Sequence, residues 1–196
     1  MDNNKLTAKD FITVGLFTAI VFAVELVCGI LGFIHPYVVV SYVVLIPLVS
    51  SIPMMLFYTK VEKFGMISIM SVLVAIIMFI TGMGYLGAPL IIMSGVLADL
   101  IAKSGQYKDI KKTVISFGVF CIWITGNYIP LVFSAASYKE GLIEEGFSQE
   151  YCDFLFGAVN SKTVLILMVM CFVFGCLGAI LGKKVVKKHF EKAGIV

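Results

Sequence analysis

The segment Phe11–Phe33, FITVGLFTAIVFAVELVCGILGF, decides the class of this chain. It carries one charged side chain, Glu25, and is otherwise a run of apolar and small residues. Its length matches a helix crossing a hydrocarbon core of about 30 Å at 1.5 Å per residue. Small residues recur at every fourth position: Gly15, Ala19 and Ala23. Four residues turn a helix by about 400°, so these three drift only about 40° per step and form one smooth ridge.

Five further runs follow at similar length: Pro36–Tyr58, Phe64–Thr81, Tyr85–Ala102, Thr113–Ala136 and Thr163–Leu181. The whole chain is 60% hydrophobic and only 14% charged. A soluble domain would carry roughly a quarter of its residues as charges. Transmembrane strands would show alternating segments of about ten residues, and none is present. The expected fold class is therefore all-α: an integral membrane protein forming a single domain over residues 1–196, with six transmembrane helices. Each helix satisfies its backbone groups internally. No cleavage-site pattern follows the first run, so it reads as a retained helix and not a leader.

Lysine sets the expected orientation, because the chain has no arginine. Lys5 and Lys9 precede the first span; Lys60 and Lys63 follow the second. Lys103, Lys108, Lys111 and Lys112 join the fourth and fifth, and Lys183, Lys184, Lys187, Lys188 and Lys192 follow the sixth. These alternate segments hold thirteen of the fifteen lysines, against Lys139 and Lys162 on the other side. The positive-inside rule then puts both termini in the cytoplasm and the chain in the plasma membrane as a multi-pass protein. The outer segment 138–161 is acidic (Glu140, Glu144, Glu145, Glu150, Asp153) and reads as either a solvated connector or a short helical cover. The basic stretch KKVVKKHFEK, Lys183–Lys192, suits contact with anionic lipid.

Several motif matches carry no chemistry. GMGYLG, Gly82–Gly87, fits G-x-G-x-x-G but lies in a hairpin between spans instead of a βαβ unit. GAILGKK, Gly178–Lys184, is one residue short of a phosphate loop and has Lys184 where Ser or Thr must stand. Only His35 and His189 are available to a histidine metal site, and Cys28, Cys121, Cys152, Cys171 and Cys176 show no C-x-x-C spacing. No metal, bound cofactor, nucleic-acid partner or catalytic residue is expected.

Lipid tails are as apolar as leucine, so spans associate through close packing at small residues. The ridge Gly15, Ala19, Ala23 is thus either an internal helix contact or a docking face for another membrane protein. Glu25 lies about 200° round from Ala23 and faces elsewhere. A carboxyl at that depth faces the bundle interior or a cavity, as a structural hydrogen-bond partner, a neutral protonated group or a ligand contact. Trp123 and Asn127 share a face of WITGNYIP, and Tyr128, Lys162, Tyr85 and His35 stand at a similar depth. The expectation is an outward pocket lined by Glu25, Trp123, Asn127, Tyr128 and Lys162, with His35 and Tyr85 in the adjoining hairpins. Without arginine, bidentate capture of carboxylate or phosphate is excluded, favouring a neutral or cationic, partly aromatic ligand. Asp99 is expected to pair with Lys103 at i+4, and Pro47 and Pro53 to bend the second span.

Taken together, LTAKDFITVGLFTAIVFAVE (Leu6–Glu25), KVEKFG (Lys60–Gly65), GVLADLIAKSGQYK (Gly95–Lys108) and WITGNYIPL (Trp123–Leu131) resemble a known family. It is the substrate-binding S subunits of energy-coupling factor (ECF) vitamin transporters, of the MptD-type or Trep_Strep branch. The family's A-x-x-x-A motif is matched by Ala19 and Ala23. The resemblance implies the six-helix S-component fold, docking of the first span on a transmembrane scaffold (T) subunit, and two partner ATPases that use ATP. It also implies an outward pocket built by the later spans and GFIHPY, Gly32–Tyr37, for a vitamin- or cofactor-like small molecule. A stand-alone carrier or channel acting as an oligomer is the competing reading, disfavoured by the lack of an inverted repeat and of ion-coupling charges. A membrane-embedded enzyme would need a nucleophile–base or metal constellation that the sequence does not display.

Overall fold

The computed structural model describes residues 5–81 and 85–191, and among these every regular element is helical. Helix α1 spans Ala8–Gly32, α2 Pro36–Val40, α3 Tyr42–Tyr58, α4 Met66–Ile80 and α5 Ala88–Ser104. Next come α6 (Ile110–Cys121), a 3₁₀ segment (Ile122–Tyr128), α7 (Ile129–Phe133), α8 (Ala135–Glu144), α9 (Gln149–Ala158) and α10 (Ser161–Val186). Three continuous stretches, Ala8–Gly32, Ile110–Phe133 and Ser161–His189, are long and apolar enough to cross a membrane; α3 and α4 are shorter apolar helices.

The surface confirms the solvent these helices expect. Ile12 of α1, Phe79 of α4, and Leu165 and Val169 of α10 each leave more than 60% of their area exposed, on three different helices of the bundle. A water-soluble protein does not present apolar side chains continuously around its circumference. This is an integral membrane protein.

Among the described residues, six helical segments close into a ring. α1 packs on α3, α3 on α10, α10 on α6, α6 on α5, α5 on α4, and α4 back on α1. The α3–α10 contact is the most extensive, and its cause is a row of glycines that the sequence conceals inside GCLGAILG. A Cβ at Gly178 would lie 2.8 Å from the Pro47 carbonyl oxygen, and one at Gly182 only 2.6 Å from that of Ser51. A Cβ at Gly175 would meet the Gly118 Cα of α6 at 2.8 Å. So the backbone of α10 touches both neighbours, which maximises dispersion where burial from water contributes little.

Two of the expected continuous spans are broken. The second divides at Ser41, whose Oγ donates to the Val38 carbonyl at 2.7 Å, separating α2 from α3. The fifth passes from α-helix into seven 3₁₀ residues before α7. Pro130, at the start of α7, has no N–H to continue the preceding ladder, and Gly126 packs against Gly87 across the gap.

Polar groups inside the ring are matched across helices. The Tyr58 hydroxyl of α3 lies 2.7 Å from Ser116 Oγ of α6, which donates to the Ala98 carbonyl of α5 at 2.7 Å. Asp99 does not pair with Lys103. It is fully buried, and accepts from Gly65 N (2.9 Å), Ser68 N (3.0 Å), Ser68 Oγ (2.8 Å) and Tyr107 Oη (3.0 Å). The first turn of α4 has orphan N–H donors and a positive dipole end, so a carboxylate from the neighbouring helix is a better partner than a solvated amine. Lys103 instead lies over the Phe64 ring, 4.9 Å from its centroid. Gly65 holds φ +106°, which a side chain would strain. At the same end, Asp10 accepts from Thr7 N at 2.7 Å and pairs with Lys63 at 2.8 Å, tying the start of α1 to the 59–65 loop.

Gly182→Leu or Gly178→Leu should lower thermal stability in lipid by at least about 1–3 kcal/mol through overpacking. Gly15→Leu, where a Cβ meets nothing within 4 Å, should leave it unchanged. Melting of the three purified variants by detergent-compatible fluorimetry checks the contrast.

Candidate functional site

At the end of the ring remote from Asp10, the chain encloses a cavity of about 390 Å³. Small-molecule sites run from about 300 to 1,000 Å³. Its inner wall is the last turns of α1, where Glu25, Gly29 and Gly32 stand at i, i+4 and i+7 on one face. Val39 of α2, Tyr42 of α3 and Asn127 of the 3₁₀ segment complete that wall. The outer wall is the acidic segment, which folds as the helical pair α8 and α9 and contributes Tyr138, Leu142, Glu145, Phe147 and Tyr151.

The outer pair is fastened to α1 and α2 by specific contacts. The Tyr151 hydroxyl donates to the Gly32 carbonyl at 2.8 Å. Phe33 stacks on Phe147 with ring centroids 5.2 Å apart, and Tyr37 meets Phe154 at 4.3 Å. Between the two helices, Lys139 pairs with Asp153 at 2.6 Å, and that hydrogen bond holds the Asp153 carboxyl below the usual carboxylate range. The rings do most of the fastening, because an exposed ion pair contributes at most about 1 kcal/mol.

Glu25 is the chemical centre of the cavity. Its side chain is buried, with the residue only 6% exposed, and Oε1 accepts from Asn127 Nδ2 at 3.1 Å. Oε2 is buried with no hydrogen-bond partner among the described residues. The nearby hydroxyl donors are committed elsewhere: Tyr42 Oη donates to the Gly29 carbonyl (3.3 Å) and Tyr151 Oη to that of Gly32. A second carboxylate, Glu145, stands exposed on the rim, and no lysine or histidine lines the cavity among the described residues.

Of the residues singled out in the sequence, Glu25 and Asn127 meet at this cavity. Trp123 is 2% exposed and belongs to the apolar core, while Tyr128 is wholly buried and donates to the Val39 carbonyl at 2.7 Å. Neither lines the cavity; Tyr128 braces it from behind through Val39, which does. His35 is exposed; its Nδ1 caps α2 by accepting from Tyr37 N at 3.3 Å. Lys162 is exposed in the first turn of α10, away from the cavity lining. The side chain of Tyr85 lies outside the described residues. Gly15, Ala19 and Ala23 are all exposed along α1, on the side turned from the buried stripe Val14, Phe17, Val21, Glu25, Cys28. Sequence reading missed Tyr42, Tyr138, Phe147 and Tyr151. The available signal was Gly29 and Gly32, which continue the Glu25 face as a groove that bulky neighbours must fill.

A second hollow of about 160 Å³ at the opposite end lies between α3, α6 and α10 and carries Lys108 and Lys183. The hollows at the two ends of the ring therefore differ in charge as well as in volume.

Such an assembly, an apolar helical ring with a half-covered cavity at one end, defines an integral membrane protein with a cavity of small-molecule size. Residues 8–192 match the family described as "Hypothetical bacterial integral membrane protein (Trep_Strep)", and the chain belongs to that family. Comparison with curated proteins found no match. Comparison with solved structures found none either.

Tyr151→Phe keeps the ring and removes only the hydroxyl donor to Gly32, a net loss of about 0.5–1.5 kcal/mol. Amide hydrogen exchange across 135–158 should quicken several-fold while that of α10 stays constant. Equal exchange would show α9 held by the rings alone.

Proposed function

We propose that this chain is the substrate-capturing S subunit of an ECF-type importer, taking a small vitamin- or cofactor-like molecule from outside the cell. The observation that carries the reading is the two-sidedness of α1. One side points Glu25 into a covered cavity; the other exposes the smooth ridge Gly15, Ala19, Ala23. One helix thus joins a cargo site to a surface that fits a second transmembrane helix, since small residues let backbones approach closely.

In this reading the six apolar runs are six spans, with both termini cytoplasmic and the α8–α9 cover outside, as the lysine asymmetry supports. The T subunit of an energy-coupling module packs on the ridge, and its two ATPases hydrolyse ATP. The chain itself performs no catalysis. Cargo enters beneath α8 and α9, is held against α1, and is delivered to the cytosol when the docked module turns over. The lysine-rich stretch after α10 rests on anionic lipid at the inner face.

Ala19→Trp and Ala23→Trp should each abolish co-purification of the T subunit and ATPases while the isolated protein keeps its melting temperature, because both positions are exposed. Leu165→Trp, a large-for-large change at an exposed site on α10 away from the ridge, should retain the complex. Undiminished association of both alanine variants, or uptake into vesicles holding this chain alone, would overturn the assignment.

A further inference from the structure

The cavity at the covered end is unevenly equipped, and the imbalance points to its occupant. Two carboxylates, Glu25 and Glu145, belong to its lining, against no lysine or histidine among the described residues and no arginine anywhere in the chain. The buried one, Glu25, has its Oε1 satisfied by Asn127 and its Oε2 without a hydrogen-bond partner among the described residues. Buried polar atoms are nearly always hydrogen-bonded, and a charge inside a membrane protein pairs with another charge or marks a functional path. The hydroxyls that could have turned to Oε2, those of Tyr42 and Tyr151, donate to main-chain carbonyls of α1 instead.

We propose that the cavity receives an organic cation bearing N–H donors, an ammonium or amidinium on a small, partly aromatic body, and that Glu25 Oε2 is its acceptor. The inference rests on the capture role proposed above and assigns the cargo's chemical class. An ionised carboxylate only accepts hydrogen bonds, so its complement is a donor, and in a low-dielectric site a positively charged donor is bound most strongly. Tyr42, Tyr138, Phe147 and Tyr151 line the same space, and aromatic linings suit a cation and a flat body alike. Gly29, where a Cβ would meet nothing within 4 Å, leaves the α1 wall bare one turn from Glu25, so a planar group can lie against the backbone there. An anionic cargo would meet two carboxyl groups and no basic lining side chain among the described residues. A quaternary ammonium, lacking N–H, would leave Oε2 as unsatisfied as before.

The test uses the purified full chain in lipid nanodiscs and three probes of matched shape: 2-phenylethylammonium, 2-phenylethanol and 3-phenylpropionate. Isothermal titration should show the ammonium binding at least tenfold more tightly than the other two. Glu25→Gln, which keeps the shape and an oxygen for Asn127, should erase that preference. Glu145→Gln, a change at an exposed position, should weaken the ammonium two- to threefold by relaxing the local field. Equal affinities, preference for the carboxylate, no binding by any probe, or a preference surviving in Glu25→Gln would each overturn the cation assignment. The capture-subunit reading is judged separately by the Ala19 and Ala23 variants, which lie off the cavity, so the two can fail independently.

Discussion

The contact of α10 with α3 is the constraint from which the rest of the architecture follows. Gly178 and Gly182 bring one backbone against the Pro47 and Ser51 carbonyls of another, and Gly175 does the same to α6. In lipid such proximity replaces the driving force that burial supplies in water. With α10 wedged between α3 and α6, the remaining helices complete the ring by neighbour-to-neighbour packing. Nothing in that scheme requires the outer side of α1, which is why a ridge of small residues can remain uncovered there.

Within the ring, polar side chains join helices distant in sequence. Tyr58, Ser116 and the Ala98 carbonyl link α3, α6 and α5; Asp99 gathers the start of α4 and the turn after α5. Each of these sites is saturated. Glu25 differs in having one oxygen held and one left over. That difference separates a group that builds the bundle from one available to a visitor, and it could not be assigned from residue type alone.

Much of the plan was legible because lipid imposes simple rules. Run length gave helices, and the four-residue spacing of Gly15, Ala19 and Ala23 marked a side of α1 distinct from that of Glu25. Asn127 and Glu25, polar groups deep in apolar runs, needed partners, and the structure sets them 3.1 Å apart. Other features depend on partners remote in sequence and left no local trace. Asp99 offered Lys103 as its obvious neighbour, yet the N–H groups of α4 are stronger claimants. Trp123 looked like a cavity wall and is core, because the 3₁₀ segment changes the side-chain period from 3.6 to about 3 and turns it inward. The glycines of α10 were visible only as a failed phosphate motif, and the acidic segment, open to reading as a connector or a short helical cover, folds as two helices.

The 3₁₀ segment beside the cavity also has a mechanical aspect. Seven residues in that geometry extend about 14 Å, whereas the same residues coiled as an α-helix would extend about 10.5 Å. Tightening or relaxing this stretch therefore changes the reach of the fifth helical column by about 3.5 Å and swings Asn127 around its axis, away from the carboxylate it now holds. A column whose length depends on its coil is thus joined, through Asn127, to the cavity carboxyl whose second oxygen has no partner among the described residues.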